Sequence, residues 1–344
     1  MAVASRTPVA VLGATGYTGV ELLRLLAGHP AVRIAFLSSE QYRGRRASEV
    51  YPFLRGVVDE PLAAPEQFVD APGDVVFTAL PHGAAAPHVV RALADGRRVI
   101  DLSADFRFRD PATYARWYGE HPAPELLRAA VYGLVEWRRE EIRTTRLVAN
   151  PGCYTTTALL GLLPLARAGL CHEPVVIDAA SGTTGAGRSA KVEQLFAEVN
   201  ENFRAYGVGA HRHRPEIDQE LAWGGATAPC LFTPHLLPVS RGILATMYLR
   251  VRNGRPPLEE LFAAAYADEP FIVLRGDCAP ELREVRGTNR CAIGWYWDAA
   301  TSHVIVMSAT DNLGKGAAGQ AVQSMNLLLG LAETTGLGGA ALVP

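Results

Sequence analysis

The stretch Asn150-Pro151-Gly152-Cys153-Tyr154-Thr155-Thr156 places a cysteine just after a Pro-Gly bend, at the head of a helix predicted over Thr155–Ala168. The unpaired N–H groups and the dipole at a helix start stabilise a thiolate. A thiolate is the nucleophile that acyl transfer through a covalent intermediate requires. The other cysteines, at 171, 230, 278 and 291, lack this setting and read as small hydrophobic residues. None of the five forms a CxxC pair, and their scatter argues against a disulfide framework and points to a reducing compartment.

A partner for the sulfur is offered by His211-Arg212-His213-Arg214-Pro215-Glu216-Ile217, with two imidazoles and a carboxylate within six residues. A histidine beside a thiolate can hold it ionised and then give a proton to an alkoxide. His-x-His could also bind a metal, but no third ligand stands at a suitable spacing, so no metal is expected. Two further stretches suit an anionic substrate. Asp101-Leu102-Ser103-Ala104-Asp105-Phe106-Arg107 follows a predicted strand, and Arg107 can grip a phosphate or carboxylate bidentately, with Ser103 beside it. Ser181-Gly182-Thr183-Thr184-Gly185-Ala186-Gly187-Arg188 is rich in small residues whose backbone N–H groups suit an anion or an oxyanion, with Arg188 at its end.

A second centre lies near the N-terminus. Gly13-Ala14-Thr15-Gly16-Tyr17-Thr18-Gly19 joins a strand to a helix opened by the box Thr18-x-x-Glu21. Such a loop lets the backbone approach a pyrophosphate seated at the positive end of a helix. The spacing is GxxGxxG, not the GxGxxG of the common NAD fingerprint. The next strand runs into Ser38-Ser39-Glu40-Gln41-Tyr42-Arg43, where two hydroxyls and arginines suit the 2′-phosphate of NADP(H) better than a ribose hydroxyl. Glu40 is the residue that would favour NAD, but it lies beyond the two serines.

The elements that must position these groups change character along the chain. Strands at Val9–Leu12, Val32–Leu37, Val75–Ala79 and Val99–Leu102 alternate with helices at Gly19–Ala27 and Ala84–Ala94, the pattern of a doubly wound parallel sheet. Past residue 150 the chain is richer in strands, with Ile243–Val251 and Val304–Ala309 reading as members of a mixed or antiparallel sheet. A last apolar helix, Ala317–Leu329, is long enough to return to the first domain. The expected architecture is therefore α/β: a Rossmann-type domain of residues 1–150 with 313–344, and an inserted α+β domain of residues 151–312. A formal net charge of -2 gives no reason to expect nucleic acid or an anionic membrane as a partner. No apolar run reaches the roughly 20 residues that cross a bilayer, and the N-terminus does not read as a signal peptide, so a cytoplasmic protein is expected.

With these residues in view, the chain resembles the N-acetyl-gamma-glutamyl-phosphate reductases of arginine biosynthesis. The shared segments run in order over nearly the whole chain: GATGYTG at 13–19, LPHG at 80–83, DLSADFR at 101–107, NPGCYTT at 150–156, SGTTGAGR at 181–188, HRHRPEI at 211–217, TPHLLPVSRGIL at 233–244 and NLGKGAAGQAVQSMN at 312–326. The resemblance implies an inserted domain of the glyceraldehyde-phosphate-dehydrogenase type, NADP(H), a homo-oligomer (dimer or tetramer), and a nucleophile at Cys153. It puts the acid–base region on His211 and His213, with His211 preferred as donor and Glu216 in support. It adds Leu80 and Pro81 to the cofactor contacts Gly13, Thr15, Gly16, Tyr17, Thr18, Gly19, Ser38, Ser39 and Arg43, and brings Asn312 toward the nicotinamide. Gly314 stands where the family often has a bulkier residue. The implied reaction is NADPH-dependent reduction of an acyl phosphate to an aldehyde through a thioester. The rival readings are a related lysine-pathway reductase, from which the intact Pro151-Gly152-Cys153 departs, an aspartate-semialdehyde dehydrogenase, against which HRHRPEI speaks, and a non-catalytic NADP-binding sensor.

Overall fold

The computed structural model describes residues 6–342 and divides them into two compact units. The first comprises residues 6–151 and 317–338, the second 152–316 and 339–342.

The first unit is built on seven strands: β1 (Thr7–Leu12), β2 (Val32–Ser38), β3 (Leu62–Ala63), β4 (Val75–Thr78), β5 (Arg98–Asp101), β6 (Val131–Tyr132) and β7 (Leu147–Ala149), in the order β3-β2-β1-β4-β5-β7-β6. Every pairing among them is parallel. Val9, Val11, Val75, Val76, Phe77, Val99 and Ile100 are fully buried, as expected for strands covered on both faces by helices. The chain leaves β1 toward one side of the sheet and returns at β4 to build the other. The β1/β4 boundary is therefore the switch point, where ligands settle beyond the strands' carboxyl ends.

The helix after β1, α1 (Tyr17–Ala27), buries Leu22, Leu23 and Leu26. Its N-terminus differs from the expected Thr18/Glu21 box. Gly16 is the cap residue, in extended conformation and with no side-chain hydrogen bond, which moves Thr18 into the helix. Glu21 turns instead to Arg24, at 2.6 Å. The first N–H groups of α1 are thus left for a ligand. Gly13, at φ +84°, ends β1 so close to the end of β4 that a Cβ would lie 2.4 Å from the Ala79 carbonyl oxygen. A Cβ on Gly19 would lie 2.3 Å from the Gly13 carbonyl oxygen. The helix α2 (Ala86–Ala94) follows β4.

In the second unit another seven strands follow: β8 (Val176–Ser181), β9 (Arg204–Ala205), β10 (Leu231–Leu236), β11 (Ile243–Arg250), β12 (Ile272–Gly276), β13 (Cys291–Asp298) and β14 (His303–Thr310), in the order β12-β13-β14-β11-β8-β10-β9. The sheet is mixed, with β11 antiparallel to both β14 and β8, and β10 parallel to β8. Burial alternates along β11 and β14, the signature of a sheet with one covered face. That cover is the helix α3 (Cys153–Arg167), whose residues from Tyr154 to Ala166 are all buried. An apolar helix without a polar face requires burial on every side. Each of its buried leucines contributes about 2 kcal/mol relative to an exposed one. Buried polar contacts set its register: Ser308 Oγ donates to the Thr157 carbonyl at 2.6 Å, and the Thr157 and Thr310 hydroxyls meet at 2.6 Å. A second helix, α4 (His213–Gly224), packs beside α3, with a Cβ on Gly224 falling 2.8 Å from Leu163 Cδ2.

The final helix, α5 (Gly319–Leu328), belongs to the first unit, where Gln320 Nε2 donates to the Gly133 carbonyl at 2.7 Å. The unit boundary differs from the expected 313–344 at both ends. Leu313 and Gly314 are held in the second unit by the Asp311 carboxylate, and Leu342 N donates to the Arg286 carbonyl there.

Gly13→Ala is expected to destabilise the protein by about 2 kcal/mol or more, through a forced backbone angle and a clash with Ala79. The midpoint of urea unfolding measures it, and an unchanged midpoint would contradict this packing.

Candidate active site

Cys153 is the first residue of α3, and Gly152 caps it with no side chain of its own. The Gly152 N–H donates to Glu216 Oε1 at 2.8 Å, while Thr157 Oγ1 donates to the Cys153 carbonyl. Half-buried, Cys153 lines a cleft of about 450 Å³ together with Ser181, Gly182, Tyr206, His211 and His213. Cys171, Cys230 and Cys291 are buried, and burial pushes the Cys171 thiol up to about 12 and the Cys230 thiol upward as well. Cys278 is exposed, with Asp277 beside its sulfur.

The HRHRPEI segment runs into α4, which starts at His213 with Arg212 as its cap residue, so His213 and Glu216 stand one turn apart on a single helix face. Both meet the residue before the nucleophile. A Cβ on Gly152 would lie 2.5 Å from His213 Nε2 and 3.0 Å from Glu216 Oε2, so the glycine of Pro-Gly-Cys is required by close approach. Glu216 is 1% exposed. His211 sits differently, its ring ringed by Tyr154, Tyr206, Phe232 and His213 with centroids 4.9 to 5.6 Å away. Burial, then the positive charge of Arg212, holds its imidazole down to about 4. His211 Nδ1 accepts from the His213 N–H at 3.2 Å, so a neutral His211 supports the backbone of its neighbour. Tyr206 donates to the Tyr154 hydroxyl, which donates to the His235 carbonyl; burial pushes Tyr206 up to about 12 and raises Tyr154 further.

The small-residue loop after β8 departs from expectation. Ser181 and Gly182 do line the cleft, but the loop's N–H groups are already occupied. Gly182, Thr183 and Thr184 donate to the carbonyls of Gly242, Val239 and Ser240, and Gly185 to Gly182. A 3-10 turn folded onto residues 239–242 consumes the donors that a free glycine loop would present. Ser181 Oγ donates to the Gly182 carbonyl. Arg188 is exposed and is not among the described residues lining the cleft. The cleft is also walled by Arg212 of the HRHRPEI segment and by Lys191, Glu193, Gln194 and Arg204, which the sequence reading did not single out. The last four come from a segment without helical or strand periodicity, held to β10 through the two residues of β9 and the Tyr206 N–H on the Pro234 carbonyl.

In the first unit, Ser103 is 1% exposed and tied to Asp101, donating through Oγ to its carboxylate at 2.7 Å. Its hydroxyl also accepts from the Asp105 N–H at 3.0 Å, so it braces the turn that carries Arg107. Burial, then the charge of Asp105, pushes the Asp101 carboxyl up to about 6. Arg107 is 6% exposed, with Nε on the Asn150 carbonyl and Nη2 on the Leu102 carbonyl, so its guanidinium is already fixed in place before any anion arrives.

The glycine loop and its expected companions converge at one end of the parallel sheet. Leu80 and the exposed Pro81 follow β4, and Leu80 Cδ2 stands 3.3 Å from where a Gly13 Cβ would be. Ser38 Oγ accepts from Gly13 N at 3.1 Å, and the Ser39 and Thr15 hydroxyls meet at 2.7 Å. Both serines are buried and face the loop they support, not solvent. Arg43 is exposed and bound through both oxygens of Glu40, which raises its pKa. The residue that would favour NAD thus holds the residue that would favour NADP. Gly16, Tyr17 and Thr18 are at least partly exposed at the open N-terminus of α1. Asn312 lies in the second unit, where Oδ1 accepts from Gly242 N and Nδ2 donates to Thr184 Oγ1. Among the described residues, no group of three or more His, Cys, Asp or Glu could hold a metal ion, and no helix is long and apolar enough to cross a membrane.

Two family models match the two halves of this arrangement: the NAD binding domain of semialdehyde dehydrogenase over residues 8–145, and the dimerisation domain of the same class over residues 153–312. Among solved structures the chain is similar to aspartate semialdehyde dehydrogenase II of Vibrio cholerae (TM-score 0.72, 20% identity, 95% of this chain and 99% of that one). It is also similar to the aspartate semialdehyde dehydrogenase of Candida albicans solved with NADP (TM-score 0.68, 16% identity, 94% and 99%). These likenesses establish the fold, and the class is that of the semialdehyde dehydrogenases. Curated relatives narrow it: the N-acetyl-gamma-glutamyl-phosphate reductases of Geobacter metallireducens and Halorhodospira halophila are 52% and 51% identical, each over 98% of this chain and 99% of the relative. The chain belongs to the N-acetyl-gamma-glutamyl-phosphate reductase family.

His211 supplies a test of this geometry by pH. Its folded pKa lies below the unfolded value, so the unfolded chain binds a proton first and stability is lost as pH falls from about 6.5 toward about 4. Asp101 works the other way: raised to about 6, it adds stability as pH falls through that value, in wild type and variant alike. His211→Phe is therefore expected to lose less stability than wild type between about pH 7 and about pH 4.5. Equal losses in urea titrations at the two pH values would show that His211 is not held neutral.

Proposed function

We propose that this protein reduces N-acetyl-gamma-glutamyl phosphate to N-acetylglutamate semialdehyde and phosphate with NADPH, in arginine biosynthesis, through a thioester on Cys153. The observation that carries it is the placement of Cys153 in a cleft at an N-terminus capped only by glycine, with His213 and Glu216 packed over that glycine.

The dinucleotide would be held by the Gly13–Gly19 loop. The fit rests on an α1 N-terminus without a side-chain cap and on two glycines whose positions admit no Cβ. A 2′-phosphate would compete with Glu40 for Arg43 at the exposed rim. When bound, NADPH supplies the hydride that reduces the thioester carbonyl carbon.

The chain's own groups do the rest. The Cys153 thiolate, stabilised by the start of α3, attacks the acyl carbon, and the bond to the phosphate oxygen breaks. His213 gives a proton to the thiohemiacetal oxygen as hydride arrives and takes it back as the C–S bond breaks. His213 is preferred to His211 because it stands beside Gly152, whereas His211 is caged and held neutral. Glu216, fixed by the Gly152 N–H, supports positive charge on the imidazole during that transfer. Lys191, Arg204 and Arg212, against the single carboxylate of Glu193, leave the cleft wall with an excess of positive charge suited to the substrate's anionic groups. The match to a dimerisation domain supports a homo-oligomer, a dimer or tetramer, and five free cysteines support a reducing, cytoplasmic setting.

The reverse reaction gives the assay: NADP reduction with N-acetylglutamate semialdehyde and phosphate, beside aspartate semialdehyde. Turnover is expected with the first and not the second. Cys153→Ser should abolish it while leaving the fold and NADPH binding intact, and His213→Ala should lower kcat about a hundredfold or more. A Cys153→Ser enzyme with near-normal turnover, or a preference for aspartate semialdehyde, would overturn the proposal.

A further inference from the structure

The residues after β14 form a frame around the nucleophile that the reaction scheme above leaves unused. Asp311 is fully buried, and its carboxylate accepts from Leu313 N, Gly314 N and Gly287 N and pairs with Arg241 at 3.0 Å. Its carbonyl accepts from Gly316 N at 2.9 Å. These bonds curl residues 311–316 into a tight path that continues as a π-helical turn over Gly314–Ala318. Two glycines let that turn seat. A Cβ on Gly314 would overlap the Thr288 carbonyl oxygen, and a Cβ on Gly316 would lie 2.9 Å from Cys153 Cβ and 3.3 Å from Cys153 Cα. Lys315, between them, is fully buried with its ammonium 5.7 Å from the centre of the Phe271 ring. The turn is therefore pinned on both sides of the one residue that backs onto the nucleophile. The neighbour of Asp311 reaches the loop that lines the cleft: Asn312 donates to Thr184 within the Ser181–Gly185 loop and accepts from Gly242 N, and the Gly242 carbonyl accepts from Gly182 N.

We propose that Asp311 and Gly316 are positioning residues for Cys153. Asp311 shapes the turn, Gly316 is the surface against which the nucleophile's Cα and Cβ are seated, and Asn312 holds the facing loop in the same register. Two adjacent residues thus set the gap between the attacking sulfur and the loop that lines the substrate cleft. The inference rests on Cys153 being the nucleophile.

The test reads Cys153 itself. Iodoacetamide labelling across pH, resolved by mass spectrometry so that Cys153 and the exposed Cys278 are separate, is run beside steady-state kinetics with N-acetylglutamate semialdehyde, phosphate and NADP. Gly316→Ala, checked for folding by circular dichroism, is expected to shift the pH profile of Cys153 labelling and lower kcat about tenfold or more with KM nearly unchanged. Asp311→Asn, which removes the charge facing Arg241 and turns an N–H donor toward Gly287, is expected to move both readouts in the same direction, and decides the matter if Gly316→Ala does not fold. Asn312→Ala is expected to split the other way, raising KM for the semialdehyde while leaving Cys153 labelling as in wild type. Folded Gly316→Ala or Asp311→Asn enzyme with a wild-type labelling profile and kcat would overturn the inference. Wild-type Cys153 that labels no faster than Cys278 would instead remove its premise, the nucleophile.

Discussion

The second unit depends on a single crowded point, the start of α3. A helix buried along its whole length must place its N-terminus somewhere that satisfies the first N–H groups, and here Gly152 gives one of them to a buried carboxylate. Crowding then dictates composition. His213 and Glu216 press on Gly152 from one side, and Gly316 presses on Cys153 from another, so neither glycine could carry a side chain. The same contacts that fill space also leave Cys153 lining the cleft it shares with Tyr206 and His211. Stability and reactivity therefore rest on the same atoms: loosening the packing at this point would release the nucleophile along with the helix.

Electrostatics sharpens the division of labour between the two histidines. A ring surrounded by Tyr154, Tyr206 and Phe232 loses the solvation that an imidazolium needs, and the nearby Arg212 adds to the penalty. His211 thus serves as a neutral acceptor for the backbone of α4. His213, two residues on, keeps the company of Glu216 and of the residue before the sulfur. The first unit follows a parallel logic. Its exposed glycine loop is shaped by groups that do not themselves face solvent, Ser38 and Ser39, whose hydroxyls hold Gly13 and Thr15.

Much of this was legible in the residues alone. The strand–helix alternation before residue 150, the parallel sheet it implies, the glycine turn at its switch point and the cysteine at a helix start all follow from local signals: runs of Val and Ile, a Gly-rich spacing, and a Pro-Gly bend before an apolar stretch. Local signals failed where a side chain had more than one partner to choose. Thr18 and Glu21 have capping-box spacing, yet Glu21 took Arg24. The small residues of 181–187 resemble an anion nest, yet residues 239–242 reach them first. Ser103 and Asn312 have the chemistry of ligand contacts, and the fold also gives each of them internal hydrogen-bond partners.

By itself, then, the order of residues determined the class of chemistry, since a nucleophile, an acid–base segment and a dinucleotide loop are each contiguous and each carry their own short-range signature. What only the tertiary structure decided was which of these groups stay available. That choice is made by segments far apart in the chain, such as 239–242 against 181–187, or Asp311 against Arg241 and Gly287. A buried donor or acceptor must find a partner, and the one it finds is set by which backbone the fold brings within about 3 Å.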